Sequence, residues 1–282
     1  MLTTLVDAFT QGDIAGLKAK LLHSTCWNQH NHKAYGEDKL QAVVLDWLKL
    51  AGQCEVISSV EIKDGQQQVI NLSLKTANSE QPISYTLWLE TNGEVIKRVD
   101  AIVDTAQLAI ATAQSPKAIA KAIPTPDAFV LLDYDQQDHL QDELATPSML
   151  ADMPSAIAQA ADTWWSIWSN AQLSAVNAIY NDDTDVQLAG STGSQSNSAV
   201  FESVLGLNTK LTRVFAQIQQ VAVAGEQVAV KWYLDGDEKG NRIRIPFISL
   251  LTIKDGKIAQ DITTCDAIAH KKRFTKSDIF SE

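Results

Sequence analysis

The sequence predicts an α+β protein built from two tandem cone-shaped barrel domains, each of three helices packed on a curved antiparallel sheet. Three observations carry this. Arg242 to Asp266, RIRIPFISLLTIKDGKIAQDITTCD, reads as two alternating strands closed by a tight turn at Asp255-Gly256. Ile83 to Asp104, ISYTLWLETNGEVIKRVDAIVD, repeats the pattern with a turn at Asn92-Gly93 and a second run that again finishes on Asp. Upstream of each stretch lie two further alternating runs, and ahead of those the apolar residues take helical spacing.

Repeat one opens with a short helix carrying Leu5, Val6 and Phe9. Asp13 then suits the N-cap of a second helix, with Ile14, Leu17, Leu21 and Leu22 on one side. Cys26 to Tyr35 reads as irregular. Gly36 leads into a third helix whose first-turn acids, Glu37 and Asp38, match the positive end of the helix dipole and whose Leu40, Val43, Val44, Trp47 and Leu48 form an apolar stripe. Four strands follow, at Cys54 to Lys63, Gln68 to Lys75, Ile83 to Glu90 and Glu94 to Asp104.

A connector comes next. It begins with an Ala-rich helix at Ala106 to Ala113 and a second helix capped by Ser115-Pro116, and then turns acidic and Pro-broken. Repeat two restarts near Asp162: Trp164, Trp165, Ile167 and Trp168 stand for the first helix, Leu173 to Tyr180 for the second, and Phe201, Val204 and Leu205 for the third. Val214 to Val223 and Val228 to Leu234 are its first two strands, with Asp235-Gly236-Asp237 and Lys239-Gly240-Asn241 closing a hairpin into the final pair. The predicted domains are therefore residues 1–105 and 161–274, with a partly helical acidic connector over 106–160.

Charge and composition exclude several functions. The net charge is -11, against the basic face that a nucleic-acid partner requires. Between Lys121 and Lys210 there is no Lys or Arg and there are twelve acids, so the excess negative charge sits in the middle of the chain. Cys26, Cys54 and Cys265 form neither a disulfide framework nor a zinc motif. No apolar run reaches the ~18 residues of a membrane span, and Asp7 interrupts the apolar stretch at the amino terminus, so the expected location is the cytoplasm. No Ser-His-Asp ordering, phosphate-binding Gly-rich loop or His-Glu-x-x-His is present.

Several short motifs carry a family resemblance. They are Phe9 with Gly12-Asp13, Trp27, Tyr35-Gly36-Glu37, Gly93-Glu94-Val95-Ile96 through Asp104, and Gly256-Lys257-Ile258 through Asp266. With three helices before an antiparallel sheet, they resemble the nuclear transport factor 2-like superfamily, nearest its SnoaL-like and ketosteroid-isomerase-like branch. The resemblance implies a conical pocket between helices and sheet that serves isomerases, cyclases, dehydratases and non-enzymatic binding domains.

Three functions follow as expectations: binding of a small apolar molecule in that pocket, catalysis by a pocket carboxylate as in an isomerase, cyclase or dehydratase, or a non-catalytic protein-interaction module. The catalytic candidates are Asp100 and Asp261, each on a final strand among apolar neighbours, with Arg98 an alternative ion-pair partner for Asp100. The ligand-binding candidates are Trp27, His30, His32, Tyr35, Trp232 and Phe247, the richer set lying in repeat one. His23, His30, His32 and Cys26 lack the supporting ligands of a metal site, so no metal or cofactor is expected. Trp88, Ile248 and Leu250 make the sheet backs apolar where one-sided sheets are polar. The expectation is an intramolecular pseudo-dimer with no obligate oligomer, no nucleic acid and no membrane partner.

Overall fold

The computed structural model describes residues 1–11, 15–30, 32–35, 47–125 and 153–268. They divide into two compact units, Met1–Asp127 with Thr264–Glu282, and Ala128–Thr263. The expectations for Asp13 and Ile14, for the third helix of repeat one ahead of Trp47 and for the acidic run of the connector lie outside the described residues. No described helix is long and apolar enough to cross a membrane.

In the first unit α1 (Leu2–Gln11) buries Leu5 and Phe9, four residues apart on one face. After α2 (Ala15–Lys18) come β1 (Leu21–Gln29), β2 (His32–Tyr35), β3 (Cys54–Asp64), β4 (Gln67–Thr76), β5 (Ser79–Asn92) and β6 (Val95–Val103). They form one sheet in the order β2-β1-β6-β5-β4-β3. Ile70, Leu72, Tyr85, Leu87, Leu89, Val99 and Ala101 join Phe9 and Trp47 in a single core. Two capped helices close the unit's main segment: α3 (Thr105–Ala111), where Asp104 accepts from the Gln107 amide, and α4 (Pro116–Ala122), where Ser115 accepts from the Ala118 amide.

Here two readings are corrected. Among the described residues the second helix is Ala15–Lys18, and Leu21 and Leu22 begin a strand instead of extending it. The segment read as irregular is a hairpin, Cys26 standing opposite Tyr35 and Gln29 opposite His32. In β1 only Thr25, Trp27 and Gln29 are buried, a period-two pattern made of a hydroxyl, an indole and an amide. With its alternation carried by polar groups, the strand lacks an apolar signature. The sheet is consequently mixed rather than purely antiparallel, because β1 runs parallel to β6.

The second unit opens with α5 (Ser155–Asn170), whose buried stripe is Ile157, Ala160, Ala161, Trp164, Trp165, Ile167 and Trp168. It stops at Ala171, a non-glycine residue in the left-handed region at φ 50°. A 3-10 turn (Leu173–Ala175) and α6 (Val176–Ile179) lead to β7 (Tyr180–Gln187), then α7 (Ser198–Lys210), β8 (Thr212–Ala224), β9 (Gln227–Glu238), β10 (Asn241–Lys254) and β11 (Lys257–Cys265). Strand order is β7-β11-β10-β9-β8, with β7 parallel to β11.

The expected turn at Asp235-Gly236-Asp237 is instead part of β9, where Gly236 faces Ile243 in register. A glycine stands there because an added Cβ would lie 3.3 Å from the Leu211 Cβ and 3.4 Å from the Thr212 carbonyl. The hairpin turns at Lys239 and Gly240, both at positive φ. The apolar residues on the sheet backs, Trp88, Ile248 and Leu250, are all buried.

Candidate functional site

β11 carries Asp261 into the interior of the second unit, where the residue is 0% exposed. Three side chains donate to it: the Tyr180 hydroxyl to Oδ2 at 2.5 Å, the Trp164 indole Nε1 to Oδ2 at 3.0 Å, and the Thr263 hydroxyl to Oδ1 at 2.8 Å. Tyr180 reaches it because β7 starts there, opposite Ile258 in the parallel pairing with β11. Trp164 reaches it from the buried stripe of α5.

Burial raises the Asp261 carboxyl above its ordinary value of 3.8, and the hydrogen bonds from Tyr180, Thr263 and Trp164 oppose that rise only in part. The Tyr180 phenol is pushed well above 10.0 by burial first and by the neighbouring Asp261 charge second. Among the described residues no cation faces this carboxylate. α5, α6 and β7 contain no Lys or Arg. Lys231 and Arg244 point to the other side of the sheet, to Gln220 and Asp235. The site is thus a desolvated carboxylate steadied by neutral donors, able to hold or take up a proton.

Aromatic rings surround it. Trp232 and Phe247 stand opposite each other on β9 and β10 and stack at 4.1 Å between centroids with 11° between planes. Trp164, Trp165 and Trp168 reach Trp232 from α5 at 6.1, 5.7 and 5.6 Å. The Trp232 indole donates to Ser249 at 3.0 Å, and Ser249 lies 2.8 Å from the Thr263 hydroxyl, so a chain of hydrogen bonds runs from Trp232 to Asp261. Trp165 and Trp168, both buried, stand outside this chain, and Nε1 of Trp168 has no partner among the described residues.

The first unit repeats the frame without the site. Thr25 bonds to the Leu22 amide and the Ile96 carbonyl; Thr184 bonds to the Asn181 amide and the Ile258 carbonyl. Leu21 faces Ile96 as Tyr180 faces Ile258, and Val99 stands three residues beyond Ile96 as Asp261 stands three beyond Ile258. Both members of the Tyr180–Asp261 pair are therefore apolar in the first unit.

Asp100 lies on the opposite face from Val99. It stands across from Trp88 and bonds to Arg98 at 3.0 Å and to Asn28 at 2.8 Å. Trp27 is a core residue, fully buried, donating to Gln29 at 3.3 Å. Tyr35 is 55% exposed at the end of the edge strand β2, on which His32 is half-buried. His30 is buried at φ 55°, and its Nδ1 lies 2.6 Å from Asp266, which also accepts from Thr105. The Gln29 amide fixes the tautomer. Its Oε1 accepts from Tyr85 and Trp27, so its Nε2 is the donor towards His30 Nε2 at 3.4 Å, and His30 must carry its proton on Nδ1.

Of the candidates read from the sequence, Asp261, Trp232 and Phe247 come together in the second unit, while those of repeat one disperse. Sequence reasoning missed Tyr180, Trp164, Thr263 and Ser249. Tyr180 looked like the last residue of a helix and is the first of a strand, so only the parallel pairing of β7 with β11 connects it to Asp261. Among the described residues no cluster of His, Cys, Asp or Glu could hold a metal.

Residues 161–260 match the family model of the SnoaL-like domain. No match to a curated protein was found. Among solved structures, the chain is similar to a putative polyketide cyclase from Bacillus cereus ATCC 10987, at 17% identity and TM-score 0.39 over 42% of this chain and 80% of that one. A putative SnoaL-like polyketide cyclase from Jannaschia sp. CCS1 aligns at 15% identity and TM-score 0.37, covering 42% and 92%. A LEH-like epoxide hydrolase from M. tuberculosis aligns at 13% and 0.37, covering 44% and 93%.

Proposed function

We propose that the second unit, where residues 161–260 match the SnoaL-like domain model, binds a small, largely apolar molecule among its indole rings, with Asp261 as the polar group that orients it. The observation that carries this is the buried carboxylate itself, held by Tyr180, Trp164 and Thr263 with no cation beside it among the described residues. A charge removed from water without a counter-charge destabilises a fold, and such groups concentrate where they act on something. Ring-rich surroundings and a few convergent polar groups are the usual make-up of a small-molecule site. Native mass spectrometry of the purified full chain tests the reading. A co-purified small molecule that is lost in Asp261→Asn supports it, and an empty protein that takes up none of a panel of apolar molecules counts against it.

The 2.5 Å contact between Tyr180 and Asp261 favours a second reading, proton transfer on the bound molecule. A carboxyl raised by burial and partnered by a phenol can remove a proton beside a carbonyl and return it elsewhere. Incubation with a ketone in D2O would show exchange of its α-hydrogens by the wild type and not by Asp261→Asn. We read the first unit as the other copy of a duplicated domain, kept without this site because Leu21 and Val99 occupy the corresponding positions.

A further inference from the structure

Trp168 lies one helical turn beyond Trp164 on the buried stripe of α5 and is 4% exposed. Its ring sits 6.4 Å from Trp164 and 5.6 Å from Trp232. Both neighbours engage their indole N–H groups, on Asp261 and Ser249. The N–H of Trp168 is buried and has none among the described residues. An indole nitrogen only donates, and folded proteins leave few buried donors unmet because water would otherwise have satisfied them. An acceptor brought by a ligand would complete it.

The surrounding charges narrow the ligand further. An anion would face the Asp261 carboxylate with no Lys or Arg on α5, α6 or β7 to offset the repulsion. An ammonium ion would suit Asp261 but offers only donors, leaving Trp168 unmet. We propose that Trp168 Nε1 is a ligand-binding donor of the second unit, and that the molecule bound there is uncharged and presents an acceptor oxygen to it. This rests on reading the second unit as a small-molecule site and adds the residue and the ligand chemistry.

The test uses the full chain with 15N-labelled tryptophan, whose seven indoles each give one N–H resonance, Trp168 being assigned by its loss in Trp168→Phe. Cyclohexanone, cyclohexylamine and cyclohexanecarboxylate are titrated as probes of equal ring size and different charge. Cyclohexanone should move the Trp168 resonance downfield and bind about tenfold more weakly to Trp168→Phe, the span of one hydrogen bond; the amine and the carboxylate should leave that resonance in place. The six remaining resonances report whether the variant is folded, with Trp168→Leu as the second variant if it is not. Equal binding of the ketone to wild type and variant, or a carboxylate that binds as well as the ketone, overturns this assignment and leaves the small-molecule reading intact. If no probe binds either protein, both fall.

Discussion

The Tyr180 hydroxyl and the Asp261 carboxylate, 81 residues apart in the chain, meet at 2.5 Å inside the second unit. Removing the hydroxyl with Tyr180→Phe leaves a buried carboxylate with two donors in place of three. The expected cost is about 1.5 to 3 kcal/mol, the range for a hydrogen bond to a charged group. Urea denaturation of the full chain at pH 7 measures it. An unchanged midpoint would mean that the contact does not stabilise the fold.

Asp261→Asn should act in the other direction as pH rises. The folded carboxyl is raised above 3.8 by burial, so between the unfolded and folded values the native state holds more protons than the unfolded one. Stability of the wild type therefore falls as pH climbs through that window, and the asparagine, having no proton to lose, lacks this slope. Its single oxygen can accept from Tyr180 and Trp164 while its amide donates to Thr263. Urea midpoints of the two proteins compared from pH 4 to pH 8 should diverge, the wild type losing ground; parallel curves would contradict the raised carboxyl.

Asp266 is predicted to hold the first unit together from the far end of the chain. Asp266→Ala would strip a buried His30 of its Nδ1 partner and Thr105 of its acceptor. Two buried donors left unmet amount to about 2 to 6 kcal/mol. A fragment ending at residue 127 suffers the same loss, and also loses the contacts of Thr264 with Ser84 and Thr86. Such a fragment should show broad, early thermal unfolding by circular dichroism, and a sharp transition at high temperature would refute this.

Thiol chemistry should separate the cysteines. Burial pushes Cys54 up to about 11, so at pH 8 almost none of it is thiolate, whereas Cys26 is only half-buried. Iodoacetamide on the folded protein should label Cys26 well before Cys54, as read by peptide mass spectrometry. Unfolding in urea should abolish the difference.

The parts of the fold that were legible were those whose burial follows a simple period. The stripe of α1, the four long strands of each sheet and the hairpin at Asp255-Gly256, with both residues at positive φ, follow from alternation and turn chemistry. The first strand of each sheet was not legible. In β1 the buried side alternates through Thr25, Trp27 and Gln29, and in β7 through Thr184 and Val186, so polar groups occupy positions where a periodicity argument looks for apolar ones. Those polar groups are buried because each has a partner on the neighbouring strand or within its own, such as the Ile96 and Ile258 carbonyls for the two threonines. A pairing of that kind is invisible until the strands are side by side.

By itself the sequence determined an α+β chain with a repeated strand pair, an acid-rich middle without bases, and a carboxylate at 261 flanked by apolar residues, because period, turn residues and charge are local properties. Tertiary structure alone decided which carboxylate is desolvated. Asp100 and Asp261 sit in similar final strands, but a strand sends successive side chains to opposite faces, and one residue of phase puts Asp100 beside Arg98 and Asn28 while Asp261 meets Tyr180 and Trp164. That phase is set by the parallel pairing of each first strand with its last, a contact between segments more than 70 residues apart, and no local pattern encodes it.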